Sequence, residues 1–183
     1  MTRKQMTGIG LAGALLVAGT GTQAQTRGAG PQPVADAVRS AWDGARKNIR
    51  ESAELMPEAK FTFKPVDTVR TFGQLIGHVA GANYVFCAAA KGEKSPQAEA
   101  AFESLATKAA LLKAWDESVT YCNGAFSALT DRSAAEAIDM PFEQGKGARV
   151  SALMGNVGHL NEHYGNIVTY LRINGIVPPT SRK

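Results

Sequence analysis

The sequence predicts an all-α protein, a four-helix bundle, on three observations. Four stretches read as helices, two by apolar residues at spacings of three and four, one by its capping box and one by its alanine, leucine and lysine content; glycines and prolines punctuate the segments between them, and no segment makes a convincing strand. Helices with one apolar face each bury it by packing on one another. A chain of 183 residues suits one domain around one core.

The first helix runs from Val34 to about Glu54, with Val38, Trp42, Ala45, Ile49 and Ala53 on one face. Pro57 and Pro65 bracket a connection, Met56 to Asp67, whose Phe61 and Phe63 are expected to pack back on the core. Thr71 and Gln74 form the reciprocal pattern of a capping box, which opens a second helix from Phe72 to about Ala90. Inside it Gly73, Gly77 and Gly81 recur at every fourth position, each costing about 1 kcal/mol relative to alanine. Such a stripe either admits another backbone at close range or leaves room for a ligand.

Lys91 to Gln97 is a charged loop, and Ala98 to Leu129, rich in alanine, leucine and lysine, reads as the third helix with a break near its start left open. Asp131 to Gly147 is a long connection containing Pro141 and Gly145, helical in propensity only around Ala134 to Ile138. Connections of that length often border functional sites. The fourth helix, Ala148 to Asn174, carries Leu153, Val157, Leu160, Tyr164, Ile167 and Leu171 as its core stripe, and Gly175, Pro178 and Pro179 end it.

Ahead of the bundle, Arg3 and Lys4, the apolar run Ile9 to Ala18 and the small residues Thr22 and Ala24 have the three-part layout of a secretory signal peptide, with cleavage expected after Ala24. The apolar run falls short of the roughly 20 residues of a spanning helix. The expected organisation is a signal peptide over 1–24, a flexible leader over 25–33, the bundle over 34–179 and a tail over 180–183. A cleaved chain keeps no membrane anchor and is periplasmic or secreted; an uncleaved tether is the alternative. Losing Arg3 and Lys4 takes the formal charge from +4 to +2, and basic residues form no runs interleaved with aromatics, so nucleic acid is not an expected partner. The two cysteines, Cys87 and Cys122, are expected to form a disulfide in an oxidising compartment. Two separate buried thiols are the alternative.

The chain has three histidines, His78, His159 and His163. His159 and His163, four apart, project from the same face of the fourth helix, near enough to bind one ion. A third donor must come from elsewhere, and His78, in the glycine stripe, is the remaining histidine. Neutral imidazole suits zinc, nickel, copper or iron, and three protein ligands with open positions is the arrangement of catalytic metals. The segment also spells His159-Leu-Asn-Glu162-His163, the H-x-x-E-H order of inverted zinc peptidases. Those enzymes need a further acidic ligand downstream, and the 20 residues after His163 contain no Asp or Glu. Glu162 is therefore a solvated or outer residue, with assistance to a metal-bound water as its candidate catalytic role. Asn83, Tyr84, Asn161, Asn166 and Tyr170 are candidate partners for the ligands' second ring nitrogens.

Gly73-Gln-Leu-Ile-Gly77 followed by His-Val-Ala-Gly-Ala-Asn-Tyr, Gly158-His-Leu-Asn-Glu-His-Tyr-Gly165, Tyr170-Leu-Arg and Gly175-Ile-Val-Pro-Pro179 resemble the DinB/YfiT-like superfamily over roughly Val34 to Pro179. The resemblance implies a bundle of up-down-down-up topology in which His78, His159 and His163 hold a divalent metal, zinc or nickel first, then iron or manganese. Some members are thiol S-transferases or thiol-dependent isomerases, and others have no known activity. The resemblance thus implies a metal-dependent hydrolase or thiol S-transferase acting on a small molecule, here departing from the soluble members by its expected export signal. The alternative is a non-catalytic, stress-associated metal-binding protein. Members often pair through helix faces, which makes a homodimer an expected assembly.

Overall fold

The computed structural model describes residues 1–2 and 30–182. The expected signal peptide with its cut after Ala24, and most of the leader, lie outside the described residues. The chain divides into two compact units, 1–30 and 31–183, and the bundle is the second.

Four long helices form it: α1 (Pro33–Leu55), α2 (Phe72–Lys91), α3 (Lys108–Ala128) and, after a one-turn α4 (Asp131–Ala134), α5 (Arg149–Ile173). Proline at the first position of α1 has a backbone angle already helical and no donor to lose there. Thr71 opens α2 as expected: its hydroxyl accepts from the Gln74 amide at 3.2 Å while Gln74 Oε1 accepts from the Thr71 amide at 2.8 Å. Gly92, at φ +73°, closes it, and Gly175, also at φ +73°, follows α5.

Two expectations need correction. The third helix does not start at Ala98 but ten residues later, where Thr107 accepts from the Ala110 amide at 3.2 Å. Residues 98–105 instead form successive turns laid along α2, so a tertiary seat overrides helix propensity. The connection before α5, in which no strand was expected, holds an antiparallel hairpin of β1 (Ala137–Asp139) and β2 (Lys146–Ala148), with Ile138 opposite Gly147. Its strands are too short for a period of two to register, and its turn relies on Gly145 at φ +79° and on Phe142 and Glu143 at φ +56° and +57°.

Side-chain pairings fix the topology. Residues 83 and 87 of α2 meet 118 and 122 of α3, in the same order, through the Asn83–Ser118 hydrogen bond and the Cys87–Cys122 bridge, so these helices run parallel. Trp42 meets Asn123, Arg50 meets Asp116 and Lys108 meets the Met56 carbonyl, so α1 and α3 are antiparallel. Phe72 meets Tyr170 and Cys87 meets Asn156, so α2 and α5 are antiparallel. The arrangement is up-down-down-up, with α2 and α3 each flanked as the parallel pair. Because parallel neighbours need a long return, residues 92–107 must cross the end of the bundle and come back along α2.

The core fills the space between the four helices. Trp42 stacks on Phe126 at 4.4 Å with its indole N–H donated to Asn123 Oδ1 at 3.1 Å, so a large apolar ring is buried without an orphaned donor. Phe61 is buried and Phe63 packs edge-on to Tyr170 at 5.9 Å, as the sequence led us to expect. The Cys87–Cys122 disulfide is formed, with α-carbons 5.3 Å apart.

Candidate metal centre

His78 lies in the middle of α2, in a stretch buried on almost every side. His159 and His163 stand one turn apart on α5, the antiparallel neighbour, so the three rings meet between the two helices. His159 Nε2 is 3.2 Å from His78 Nε2 and 3.1 Å from His163 Nε2. The three histidines offer ligand atoms that all lie within 4.8 Å of one another.

These separations fit a shared ion. Nitrogens bound at about 2.0–2.1 Å at tetrahedral or octahedral angles stand about 2.9–3.4 Å apart. Without an ion, these nitrogens can meet at such distances only where one ring donates an N–H to another; a cation accepts all three lone pairs at once. The protonation states agree with that chemistry. His78 Nδ1 is 3.0 Å from Glu103 Oε1, and a carboxylate only accepts, so neutral His78 carries its proton on Nδ1 and turns the Nε2 lone pair inward. Burial first, then the neighbouring His163 and His78, lowers the His159 pKa from its ordinary 6.5 to about 3. Burial, followed by the charge of His78, lowers that of His163. Both rings are therefore neutral at pH 7, the form that binds metal.

This has a consequence for the metal-free protein. The unfolded chain takes up protons near pH 6.5 that the folded His159 refuses until about pH 3, so the unfolded state binds more protons in that window and stability rises with pH through it. Metal-free protein is expected to be progressively destabilised from about pH 6.5 down toward pH 3, with His159→Gln flattening part of that slope in denaturant titrations. An unchanged slope in the variant would show that His159 is not held neutral.

The glycine stripe explains how Glu103 reaches His78. A Cβ at Gly81 would overlap the Glu99 carbonyl, and one at Gly77 would overlap the Phe102 carbonyl and lie 2.9 Å from the Glu103 amide nitrogen. Of the two readings of the stripe, close approach of a backbone is the one realised: the missing side chains form a trough in which residues 98–105 lie. Glu103 then bridges His78 and Arg70, whose Nε donates to Glu103 Oε2 at 3.1 Å. Tyr170 in turn donates its hydroxyl to the Arg70 carbonyl at 2.6 Å. A cleft of about 740 Å³ opens beside His163, lined among others by Arg70, Gln74, Glu103, Asn166 and Tyr170. On the far side, Phe86 lies 5.7 Å from the His159 ring and is backed by Phe142 at 5.3 Å.

The remaining sequence candidates separate. Asn166 and Tyr170 line the cleft. Asn83 does not reach the site, because its amide is buried and donates to Ser118 Oγ at 2.9 Å. Tyr84 packs on Tyr121 at 5.0 Å, and Asn161 is exposed. Glu162 is exposed too, and its charge reaches the cluster as a contribution that raises the His163 pKa. Glu99, Glu103 and Arg70 were not foreseen. The available signal was a shared spacing: Glu99 and Glu103 are four apart, as are the glycines 77 and 81 that seat their backbones.

A helical bundle of this topology brings three imidazoles together between α2 and α5, a group that could hold a metal ion inside the bundle. A match to the DinB superfamily spans residues 41–167, and the chain belongs to that superfamily. No curated protein matches the chain. Among solved structures it is similar to a DinB-like protein from Bacillus cereus ATCC 10987, at TM-score 0.66 and 15% identity over 79% of this chain and 95% of that one. A DinB-like protein from Bacillus subtilis gives TM-score 0.60 and 17% identity over 80% and 99%. A variant of the mycothiol-dependent maleylpyruvate isomerase gives TM-score 0.61 and 17% identity over 73% of this chain and 60% of that one. At these identities the likeness is one of fold.

Proposed function

We propose that this chain is an exported divalent-metal protein in which His78, His159 and His163 hold the ion and the adjoining cleft presents a small molecule to it, a site of the hydrolase or thiol S-transferase kind. The observation that carries the reading is the approach of three imidazole nitrogens to 3.1 and 3.2 Å. Zinc and nickel suit this nitrogen set first, followed by iron and manganese. When bound, the ion supplies Lewis acidity toward an oxygen or sulfur of the substrate. The chain's own groups do the rest. Glu103 fixes the His78 ring and its tautomer, and Gln74, Asn166 and Arg70 offer polar contacts along the cleft. The Phe86 ring, backed by Phe142, offers an apolar surface beside His159.

Thiol chemistry draws support from the likeness to the mycothiol-dependent isomerase, of which this chain matches 60%. A purely structural ion is less well supported, because the apolar core and the disulfide already close the bundle. Export is supported by the layout of residues 1–24 and by the bridged cysteines, which belong to oxidising compartments. The protein is then periplasmic or secreted.

Elemental analysis of natively exported protein tests the reading, together with the His163→Ala variant. That substitution is expected to lower metal occupancy at least tenfold, while the chelated wild type melts at a lower temperature than the loaded protein but still folds. Full occupancy in the variant would defeat the assignment.

A further inference from the structure

The segment seated on the glycine trough brings a second carboxylate to the histidine cluster. Glu103 holds His78 from behind, at Nδ1. Glu99 Oε1 stands 3.8 Å from His78 Nε2, the atom that faces His159. Glu99 is thus on the inner side of the ring, toward the point the three nitrogens share.

We propose that Glu99 is a fourth protein donor, so that the site comprises three imidazoles and one carboxylate. The proposal rests on the metal reading above and goes beyond it in donor set and in metal preference. Its first support is distance. Neighbouring ligands of one ion stand about 2.9–3.4 Å apart, and Glu99 Oε1, on a side chain that is 37% exposed, exceeds that spacing from His78 Nε2 by less than about 1 Å. Its second support is anchoring. The Glu99 carbonyl lies where a side chain at Gly81 would be, which fixes the point from which the carboxylate extends.

Availability is the third support. Glu103 is engaged by both His78 and Arg70, whereas among the described residues the ion-pair contact of Glu99 is with His78 alone. The fourth is charge. Imidazole ligands bring no negative charge, so a divalent ion held by three of them keeps its full charge in a largely buried place, which is costly without an anionic partner; Glu99 supplies one in contact and Glu103 another behind His78. An oxygen donor beside three nitrogens also widens the range toward the harder ions, manganese and iron, while retaining zinc.

The test uses full-length wild type, Glu99→Gln and Glu99→Asp, each titrated with zinc(II) and cobalt(II) against a chromophoric chelator. The visible spectrum of each cobalt form is the second readout. Glu99→Gln is expected to weaken binding at least tenfold and to shift the cobalt bands as an anionic oxygen leaves the ion. Glu99→Asp, which keeps the charge and shortens the reach, is expected to shift them as well. Melting of the metal-free Glu99→Gln protein at the wild-type temperature shows that the fold is retained.

Affinity and bands equal to wild type in Glu99→Gln overturn the proposal and leave the three-histidine site standing. Weaker binding in Glu99→Gln with unchanged bands, and full affinity in Glu99→Asp, assign the effect to charge alone and also overturn it. A wild-type protein that binds neither ion removes the metal reading and this one with it.

Discussion

Replacing Gly81 by alanine is expected to destabilise the protein by about 2 kcal/mol, against the intrinsic preference of about 1 kcal/mol that alanine holds over glycine in a helix. The sign turns on what the new methyl group meets. At Gly81 it meets the backbone carbonyl of Glu99, which has no rotamer to change, so the whole 98–105 segment must lift from α2. Lifting it withdraws Glu103 from His78 and Glu99 from the inner side of the cluster. Gly158→Ala and Gly165→Ala are the controls: nothing lies within 4 Å of a Cβ at either position on α5, so each is expected to gain up to about 1 kcal/mol. Denaturant unfolding of the three variants measures both signs, and metal titration of Gly81→Ala is expected to show weakened binding. Equal stability for Gly81→Ala and Gly158→Ala would mean that the segment does not sit in the trough.

The same position shows where a sequence stops being legible. The stripe of glycines at every fourth residue is visible in one dimension, and so is its cost, but whether backbone or ligand fills the space depends on a segment some twenty residues away. That segment is rich in alanine and carries two glutamates four apart, and local propensity therefore reads it as helix. Its true conformation is set by contact with α2, which propensity does not encode. By contrast α1 and α5 follow from apolar periodicity, α2 from the capping box of Thr71 with Gln74, and the end of α5 from Gly175. The histidines belong to the legible part. Spacing places His159 and His163 on one face, and the burial of the glycine-lined stretch of α2 leaves His78 nowhere to point but at a neighbouring helix. Glu103 was illegible for the reason α3 was misjudged: both depend on where the crossover of a parallel helix pair returns.

That parallel pair makes the disulfide the second large effect. Helices α2 and α3 are joined by a long crossover and not by a tight turn, so little local structure holds the far end of the pair together in the unfolded chain. A bridge with a sequence separation of 35 restricts the unfolded ensemble by about 4 kcal/mol in the chain-entropy account. Removing it through a Cys87→Ala, Cys122→Ala double substitution is expected to lower the melting temperature by about 8–15 °C, at about 2–4 °C per kcal/mol for a domain of this size. Local polar groups soften the loss when the bridge is reduced instead of deleted. The Cys122 sulfur lies 3.1 Å from the Asn83 carbonyl, so a free thiol there gains an acceptor, and Asn156 Nδ2 already donates toward both sulfurs at 3.6 and 3.7 Å. Reduced wild type is therefore expected to melt above the double variant and below the oxidised protein. Both sulfurs are buried in the fold, but in denaturant only the bridge protects them, so thiol reagents should label neither cysteine there until reductant is added. Immediate labelling of denatured protein prepared without reductant, or a double variant melting within about 3 °C of wild type, would show that α2 and α3 are held by packing alone.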